Sequence, residues 1–195
     1  MHVEAEVALK EWAVVCAALA DGRQSVLLRK GGIRDRRRDF AAEHRAFVLL
    51  PTYFHAQDRG RAQDLVPEVR PELAARMTDP DPGRLHVGLY AEVTRLWFVD
   101  DLPRLHALAG RHVLSDRCVA DRFAYRAPGL WVLSLRTHRL DPPAALADRP
   151  DYAGCVSWVA LDRPVRGAAT PVTTDEQHAR READLVGLLG EGAEA

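Results

Sequence analysis

Basic side chains and glycines are concentrated in one short segment, residues 29–38. It holds six basic residues and two adjacent glycines: Arg29, Lys30, Arg34, Arg36, Arg37 and Arg38, with Gly31 and Gly32. Glycines let backbone N–H groups approach an anion while basic side chains supply a positive field, so phosphate oxygens are the natural target. Arg29 and Lys30 are the preferred binding residues because they end a predicted strand. The alternative is a solvated loop paired with its own aspartates.

A hydroxyl, a phenol and an imidazole follow a second predicted strand. Thr52, Tyr53 and His55 come after Pro51, which ends that strand. Tyr53 and His55 are suited to stacking on a nucleic-acid base or hydrogen-bonding to it, and His55 is also a candidate general base. The alternative interpretation is an aromatic cluster that only closes the strand.

Two arginines later in the chain complete the candidate site. Arg122 lies near the end of a predicted helix, and Arg136 points away from the apolar face of its strand. We expect Arg136 to join Arg29 in a two-sided anion clamp. Glu11 is expected to form a structural salt bridge with Arg29 or Lys30.

Lysine is rare in this sequence. Only Lys10 and Lys30 are lysines among the 27 basic residues. A lysine retained in so arginine-rich a chain suggests a position that requires a compact ammonium group, although chance survival explains two residues equally well.

Several classes of chemistry lack their motifs. The chain has no P-loop, no GxGxxG, no GxSxG and no Glu-x-Lys of a restriction-type nuclease. Its eight histidines are scattered, and its three cysteines, Cys16, Cys118 and Cys155, form no CxxC pair. We therefore expect no metal, no cofactor and no disulfide framework, with Cys155 a buried small side chain and not a nucleophile.

The overall composition is that of one globular protein. The 195 residues carry a net charge of −1, and 47% of them are hydrophobic. Any nucleic-acid binding must therefore come from a local basic patch. No signal peptide or membrane span is visible, so we expect a cytoplasmic protein without a membrane partner.

The hydrophobic pattern alternates irregularly between helical and strand periods. It predicts helices over residues 4–20, 102–109, 115–123 and 174–189. It also predicts strands over residues 24–29, 46–50, 130–140 and 152–161, and either one long strand or a bent hairpin over residues 85–99. Ser115 is the expected N-cap of the third helix, and Thr174 with Gln177 forms a capping box at the fourth.

The spacing of these elements predicts the fold class. The strands are not separated by regular helices, which disfavours a doubly wound parallel sheet. We predict an α+β fold, with a mostly antiparallel curved sheet or small open barrel flanked by helices. A single domain is expected over residues 1–162, followed by a linker and a peripheral C-terminal helix in residues 163–195.

Six strings in a set order resemble a known bacterial family, domain of unknown function 1802. They lie at residues 9–12, 28–33, 47–55, 122–125, 135–136 and 152–158, and the resemblance ends before Pro164. The family has no established activity. Its occasional fusion to restriction-endonuclease-type domains implies a link to DNA restriction and a restriction-type nuclease as partner.

A weaker resemblance concerns the fold. Residues 22–29 share the spacing of Gly22, Ser25 and Arg29 with the ASCH group of small barrels, related to the pseudouridine-synthase and archaeosine-transglycosylase (PUA) module. Gln24 and Leu27 replace that motif's lysine and glutamate, so only the topology is implied, together with the group's binding of RNA or modified DNA bases.

The sequence thus predicts a binding module rather than an enzyme, for a nucleic acid or a nucleotide phosphate, with DNA or RNA as its expected partner and DNA restriction as its expected context. Phosphate would be held by Arg29, Lys30, Gly31 and Gly32, and a base by Tyr53 and His55. Two alternatives stay open. One is a small enzyme that acts on a phosphorylated or nucleotide substrate through His55 or Lys30, and the other is a subunit that binds a protein partner.

Overall fold

A computed structural model describes residues 1–30, 44–53, 62–71, 81, 83–152 and 157–194. Within these residues it contains seven strands: His2–Trp12 (β1), Val26–Arg29 (β2), Ala46–Thr52 (β3), Arg84–Val99 (β4), Leu130–Ala147 (β5), Trp158–Pro171 (β6) and Ala193–Glu194 (β7). It also contains four α-helices: Ala13–Ala20 (α1), Leu102–His106 (α2), Asp116–Ala124 (α3) and Asp175–Leu189 (α4). Short 3₁₀ helices include Pro67–Val69 and Pro150–Tyr152.

Five of the strands pair in a closed ring. The order around it is β1, β3, β4, β5, β6 and back to β1, while β2 and β7 pair with the outer edges of β5 and β4. β1 runs parallel to β3, and the other pairings among the described strands are antiparallel. The predicted mostly antiparallel, curved sheet flanked by helices is therefore confirmed.

The predicted first helix is wrong over its first half. Residues 4–12 belong to β1, and only Ala13–Ala20 is helical. Val3, Ala5 and Leu9 are buried, so the segment also has the two-residue period of a strand. Pairing with β3 on one side and β6 on the other satisfies the β1 backbone, and this tertiary pairing outweighs the helical propensity of its alanines, leucine and glutamates.

The predicted linker is also wrong over residues 163–171. These residues form the second half of β6, which pairs with β1 and then with β5. Gly167 faces Val3 in this ladder, and Val165 faces Ala5. The small residues and prolines of this segment therefore mark a strand that joins two others, where composition alone indicated a connection.

The hydrophobic core lies in two clusters. The larger contains the interior side of α1, whose residues are buried except for Ala20, together with residues of β2, β5, α3 and α4. The smaller closes the other end of the ring and includes Val3, Val87, Leu140 and Val165. A helix that is apolar on every side must be enclosed, which explains why α1 sits inside the fold.

Both predicted helix caps are confirmed. The Ser115 hydroxyl accepts a hydrogen bond from the Cys118 N–H at the start of α3. At α4 the Thr174 hydroxyl accepts from the Gln177 N–H, while the Gln177 side chain accepts from the Thr174 N–H. Most of α4 is exposed, but its Leu185 and Leu189 enter the larger core cluster.

In the part of the chain that the structure describes, no helix combines the length and the apolar character needed to cross a membrane.

Because residues 163–171 form a strand that packs into the core, removing two buried methyl groups there should destabilise the protein. Val165 is 3% exposed, so Val165→Ala is expected to lower the free energy of unfolding by about 2 kcal/mol. The neighbouring exposed Arg166, paired with Glu4, is the control, and Arg166→Ala should leave the free energy of unfolding nearly unchanged. Urea denaturation measures both, and equal, negligible effects would show that the segment does not contribute to the core.

Candidate functional site

A pocket opens where β1, β2 and β3 end. Because β1 and β3 are parallel, their last residues meet, with Glu11 beside Pro51 and Trp12 beside Thr52. The pocket has a volume of about 230 Å³ and is lined by residues of four elements and two connecting segments: Lys10, Glu11, Trp12, Arg29, Lys30, Thr52, Arg122 and Ser157. We call it the strand-end pocket. Four of its lining residues, Arg29, Lys30, Thr52 and Arg122, are predicted site residues.

A buried ion pair forms the floor of the strand-end pocket. The Arg29 guanidinium donates to the Glu11 carboxylate at 2.7 Å and to the Lys10 carbonyl at 3.2 Å. The Glu11 side chain is only 2% exposed, and its second oxygen accepts from the Trp12 N–H at 2.9 Å. The predicted salt bridge is confirmed, although Glu11 lies on a strand. It fixes the ends of β1 and β2 relative to each other.

Arg122 forms one wall of the pocket. It lies in the last turn of α3, where its Nη1 donates to the Leu28 carbonyl at 3.0 Å. Its guanidinium sits over the Trp12 ring, 4.5 Å from the centroid. The Thr52 hydroxyl donates to the Glu11 carbonyl at 3.1 Å on the β3 side. The pocket is therefore lined by four cationic side chains and one carboxylate.

Lys30 has a structural role that the sequence did not reveal. Its ammonium donates to the carbonyls of Phe123 at 2.8 Å, Gly129 at 2.9 Å and Ala127. An ammonium has three N–H groups, so these contacts use its full donor capacity. Burial lowers the pKa of Lys30, and the three carbonyl contacts offset the cost of that burial. Lys30 therefore holds the connection between α3 and β5 in place, and we call these three hydrogen bonds the Lys30 clamp. Because all three N–H groups are used, Lys30 has no donor left for the phosphate contact that the sequence predicted.

The tripod of carbonyls also explains why a lysine stands here. A planar guanidinium directs its donors in one plane and cannot point three of them at converging carbonyls, whereas a tetrahedral ammonium can. Of the two lysines in this arginine-rich chain, Lys30 therefore occupies a position whose geometry requires an ammonium group and not a guanidinium.

The other predicted site residues are dispersed. Arg136 bonds to the Thr174 carbonyl and pairs with Asp175 at the start of α4. Since Arg29 faces Trp131 on β5, Arg136 lies five residues further along that strand, about 16 Å away. The predicted clamp of Arg29 and Arg136 is therefore wrong. Tyr53 directly follows β3 and is half-buried. Gly31, Gly32 and His55 lie outside the described residues.

Sequence reasoning missed Trp12, Lys10 and Ser157 as pocket residues. The signal was present in the string Leu9 to Trp12, but its assignment to a helix hid the fact that Lys10, Glu11 and Trp12 end a strand beside Pro51 and Thr52. Among the described residues, no group of three or more His, Cys, Asp and Glu side chains could hold a metal ion.

A buried histidine lies behind the pocket. His112 shares a small inner cavity with Glu11, Gln24 and Arg122. Burial lowers the pKa of His112 from 6.5 to about 4, with Arg122 adding to the effect and the Leu114 backbone and Asp116 opposing it. The imidazole is therefore neutral near pH 7 and adds no charge to the pocket.

Comparisons with known proteins gave matches of two kinds. The sequence model of the family described as Domain of unknown function (DUF1802) matches residues 8–184, so the match continues beyond Pro164, where we expected it to end. The similar solved structures include ASCH from Zymomonas mobilis, at 14% identity and a TM-score of 0.46, covering 91% of this chain and 93% of that chain.

Two variants of that bacterial protein match to the same degree. A serine-to-alanine variant has a TM-score of 0.46 and a tyrosine-to-phenylalanine variant one of 0.44, each at 14% identity. They cover 92% of this chain and 94% and 96% of their own chains. No curated protein matches the sequence.

We expect the Lys30 clamp to contribute to the stability of the protein. Lys30→Met keeps the aliphatic stem but removes the three donors, and should lower the free energy of unfolding by about 2 kcal/mol. Lys30→Arg should recover only part of this loss because the guanidinium cannot reproduce the tripod. Urea denaturation gives the stability, and hydrogen exchange should show faster exchange in residues 123–129. Full stability in Lys30→Arg would refute the geometric argument.

His112 should make stability fall in acid. Below its ordinary pKa of 6.5 the unfolded chain binds a proton that the folded chain binds only near pH 4. Its contribution is therefore complete above pH 6.5 and is lost as the pH falls towards 4, by about 3 kcal/mol in all. Stability measured at pH 7.5 and pH 4.5 should differ less in His112→Phe than in the wild type. His2→Ala, at an exposed position, should respond to pH as the wild type does.

Proposed function

The chain belongs to the DUF1802 family, and from its strand-end pocket we propose that it is a nucleic-acid-binding module that holds a backbone phosphate. The observation that carries the proposal is the charge of the pocket: Lys10, Arg29, Lys30 and Arg122 line it with a single carboxylate, Glu11. Glu11 is already paired with Arg29 at 2.7 Å, so the pocket retains a positive field. Phosphate oxygens are the anions that such a site binds best.

The size of the pocket supports a phosphate group as its occupant. At about 230 Å³ it is smaller than the clefts of roughly 300–1,000 Å³ that enclose whole small molecules. A phosphate with part of its sugar fits, while the attached base must lie outside. This favours binding to a polymer that continues across the surface over the enclosure of a free metabolite.

Arg122 is suited to contact the phosphate directly because its guanidinium has five N–H donors, whereas the single Thr52 O–H is already donated to the Glu11 carbonyl. Arg29 and Lys30 instead contribute mainly through their field and by fixing the frame, because Arg29 faces Glu11 and Lys30 faces three carbonyls. The overall charge of −1 means that attraction is local, so binding should be modest and strongly weakened by salt. Because the family resemblance implies a link to DNA restriction, DNA that carries modified bases is a further candidate ligand.

Fluorescence anisotropy with labelled DNA and RNA at two salt concentrations tests the proposal. The wild type should bind saturably and more weakly at high salt. Arg122→Gln should weaken binding about tenfold and lower the salt slope by about one. Arg180→Gln, on the exposed face of α4, is the matched control and should leave binding unchanged.

Arg122 is a better position for this substitution than Arg29, because a variant that loses its fold would lose binding for a reason unrelated to the ligand. Substituting Arg29 would leave the buried Glu11 carboxylate unpaired, which destabilises the protein whatever the ligand. A wild type that binds none of the nucleic acids would overturn the proposal and direct the search to a small phosphorylated substrate or a protein partner.

A further inference from the structure

Exposed aromatic side chains gather beside the strand-end pocket. Among the described residues, the large hydrophobic side chains that are exposed are Met1 at the N-terminus, Phe98 at 53% and Tyr125 at 54%. Phe98 lies near the end of β4, and Tyr125 directly follows α3. Both border residues 125–129, the connection that Lys30 clamps. Because Phe98 packs on Gly129 at one end of this short connection and Tyr125 stands at the other, the two exposed rings are candidates for contact with a ligand.

The sheet places these rings in register with the pocket. Arg29 on β2 faces Trp131 on β5, and Trp131 in turn faces Phe98 on β4. Residues directly opposite each other in antiparallel pairs project from the same face. The three side chains therefore form one row, and Phe98 lies two strands, or about 10 Å, from Arg29. The Phe98 and Trp131 rings are tilted against each other with centroids 5.1 Å apart.

A glycine fixes the position of Phe98. Gly129 has φ +123°, a conformation open to glycine, and the Cβ of any other residue at this position would clash with the Phe98 ring. The ring therefore rests directly on the Gly129 backbone, whose carbonyl Lys30 holds at 2.9 Å. The clamp thus couples the pocket to the aromatic surface.

A cation lies at the second exposed ring. The Arg126 guanidinium sits 5.0 Å from the centroid of Tyr125, and Arg126 itself has a positive φ of 66°. The backbone strain of a non-glycine residue in this region is held by the neighbouring structure. Arginine beside exposed rings suits a ligand that is both flat and anionic.

We propose that Phe98, Trp131 and Tyr125 form a stacking platform for unpaired bases of a single-stranded nucleic acid whose phosphate occupies the strand-end pocket. The inference rests on the proposed function and adds to it the class of ligand. Aromatic rings stack on every base because each has a π-face, and a duplex hides those faces within its own stack. The platform therefore selects single strands, or ends and loops where bases are unpaired.

Four labelled probes separate base stacking from phosphate binding: an oligothymidine strand, an oligouridine strand, an abasic strand of equal length and a mixed-sequence duplex. The wild type should bind the two base-containing strands at least tenfold more tightly than the abasic strand and the duplex. Comparing the oligothymidine and oligouridine strands shows whether the module prefers DNA or RNA.

Substitutions in the platform should remove only the part of the binding affinity that comes from the bases. Phe98→Ala and Tyr125→Ala should each weaken oligothymidine binding about tenfold and leave abasic binding unchanged, while Phe98→Tyr keeps the aromatic face and should bind like the wild type. Arg180→Gln, on the exposed face of α4, is again the control and should bind every probe like the wild type. Thermal melting confirms that the variants fold.

The outcomes distinguish the two proposals. If the wild type binds and Arg122→Gln weakens it, but Phe98→Ala and Tyr125→Ala leave base-containing strands unaffected, the platform is refuted and the phosphate-binding function stands. Equal affinity for duplex and single strand would also refute the platform. If the wild type binds no probe, the proposed function fails, and the platform fails with it.

Discussion

The buried pair of Arg29 and Glu11 is the interaction on which the site depends. A carboxylate that is 2% exposed needs a partner, because an unpaired charge in the interior costs several kcal/mol. β1 and β2 are not neighbours in the sheet, so this pair supplies a connection that the backbone ladders do not. It aligns the strand ends and places the Trp12 ring under Arg122. The pocket exists because these three ends are held together.

Lys30 adds a second set of contacts, on the side of β2 that faces the connection between α3 and β5. Its neighbour Arg29 belongs to the ion pair, while the Lys30 ammonium holds three carbonyls of the connection between α3 and β5. Two consecutive residues thus fix the pocket on one side and the exposed rings of Phe98 and Tyr125 on the other. This division of roles differs from the one expected at first, in which both residues bind phosphate, and it explains how a short β2 of four residues positions so much of the surface.

The predictions from sequence were most accurate where the evidence was local. The caps at Ser115 and Thr174, the strands β2 to β5 and the salt bridge of Glu11 follow from residue types and short spacings, and the structure confirms them. They were wrong for residues 4–12 and 163–171. Both segments are strands whose partners are distant in the chain: residues 4–12 pair with β3 and β6, and residues 163–171 pair with β1 and β5. No local pattern carries such a pairing, since alanine, glycine and proline have weak or contrary strand propensities.

The sequence by itself therefore determined the family, the α+β class and the basic and polar residue types from which the pocket is built. Arg29, Lys30, Thr52 and Arg122 were identifiable because charged and hydroxyl side chains at the ends of predicted strands and of a predicted helix can be recognised from the sequence. Only the tertiary structure decided which of them meet: it brought in Trp12, placed Arg136 at α4 and directed Lys30 to backbone carbonyls. The reason is that donor geometry and strand partners depend on contacts between residues distant in the chain, and periodicity does not record them.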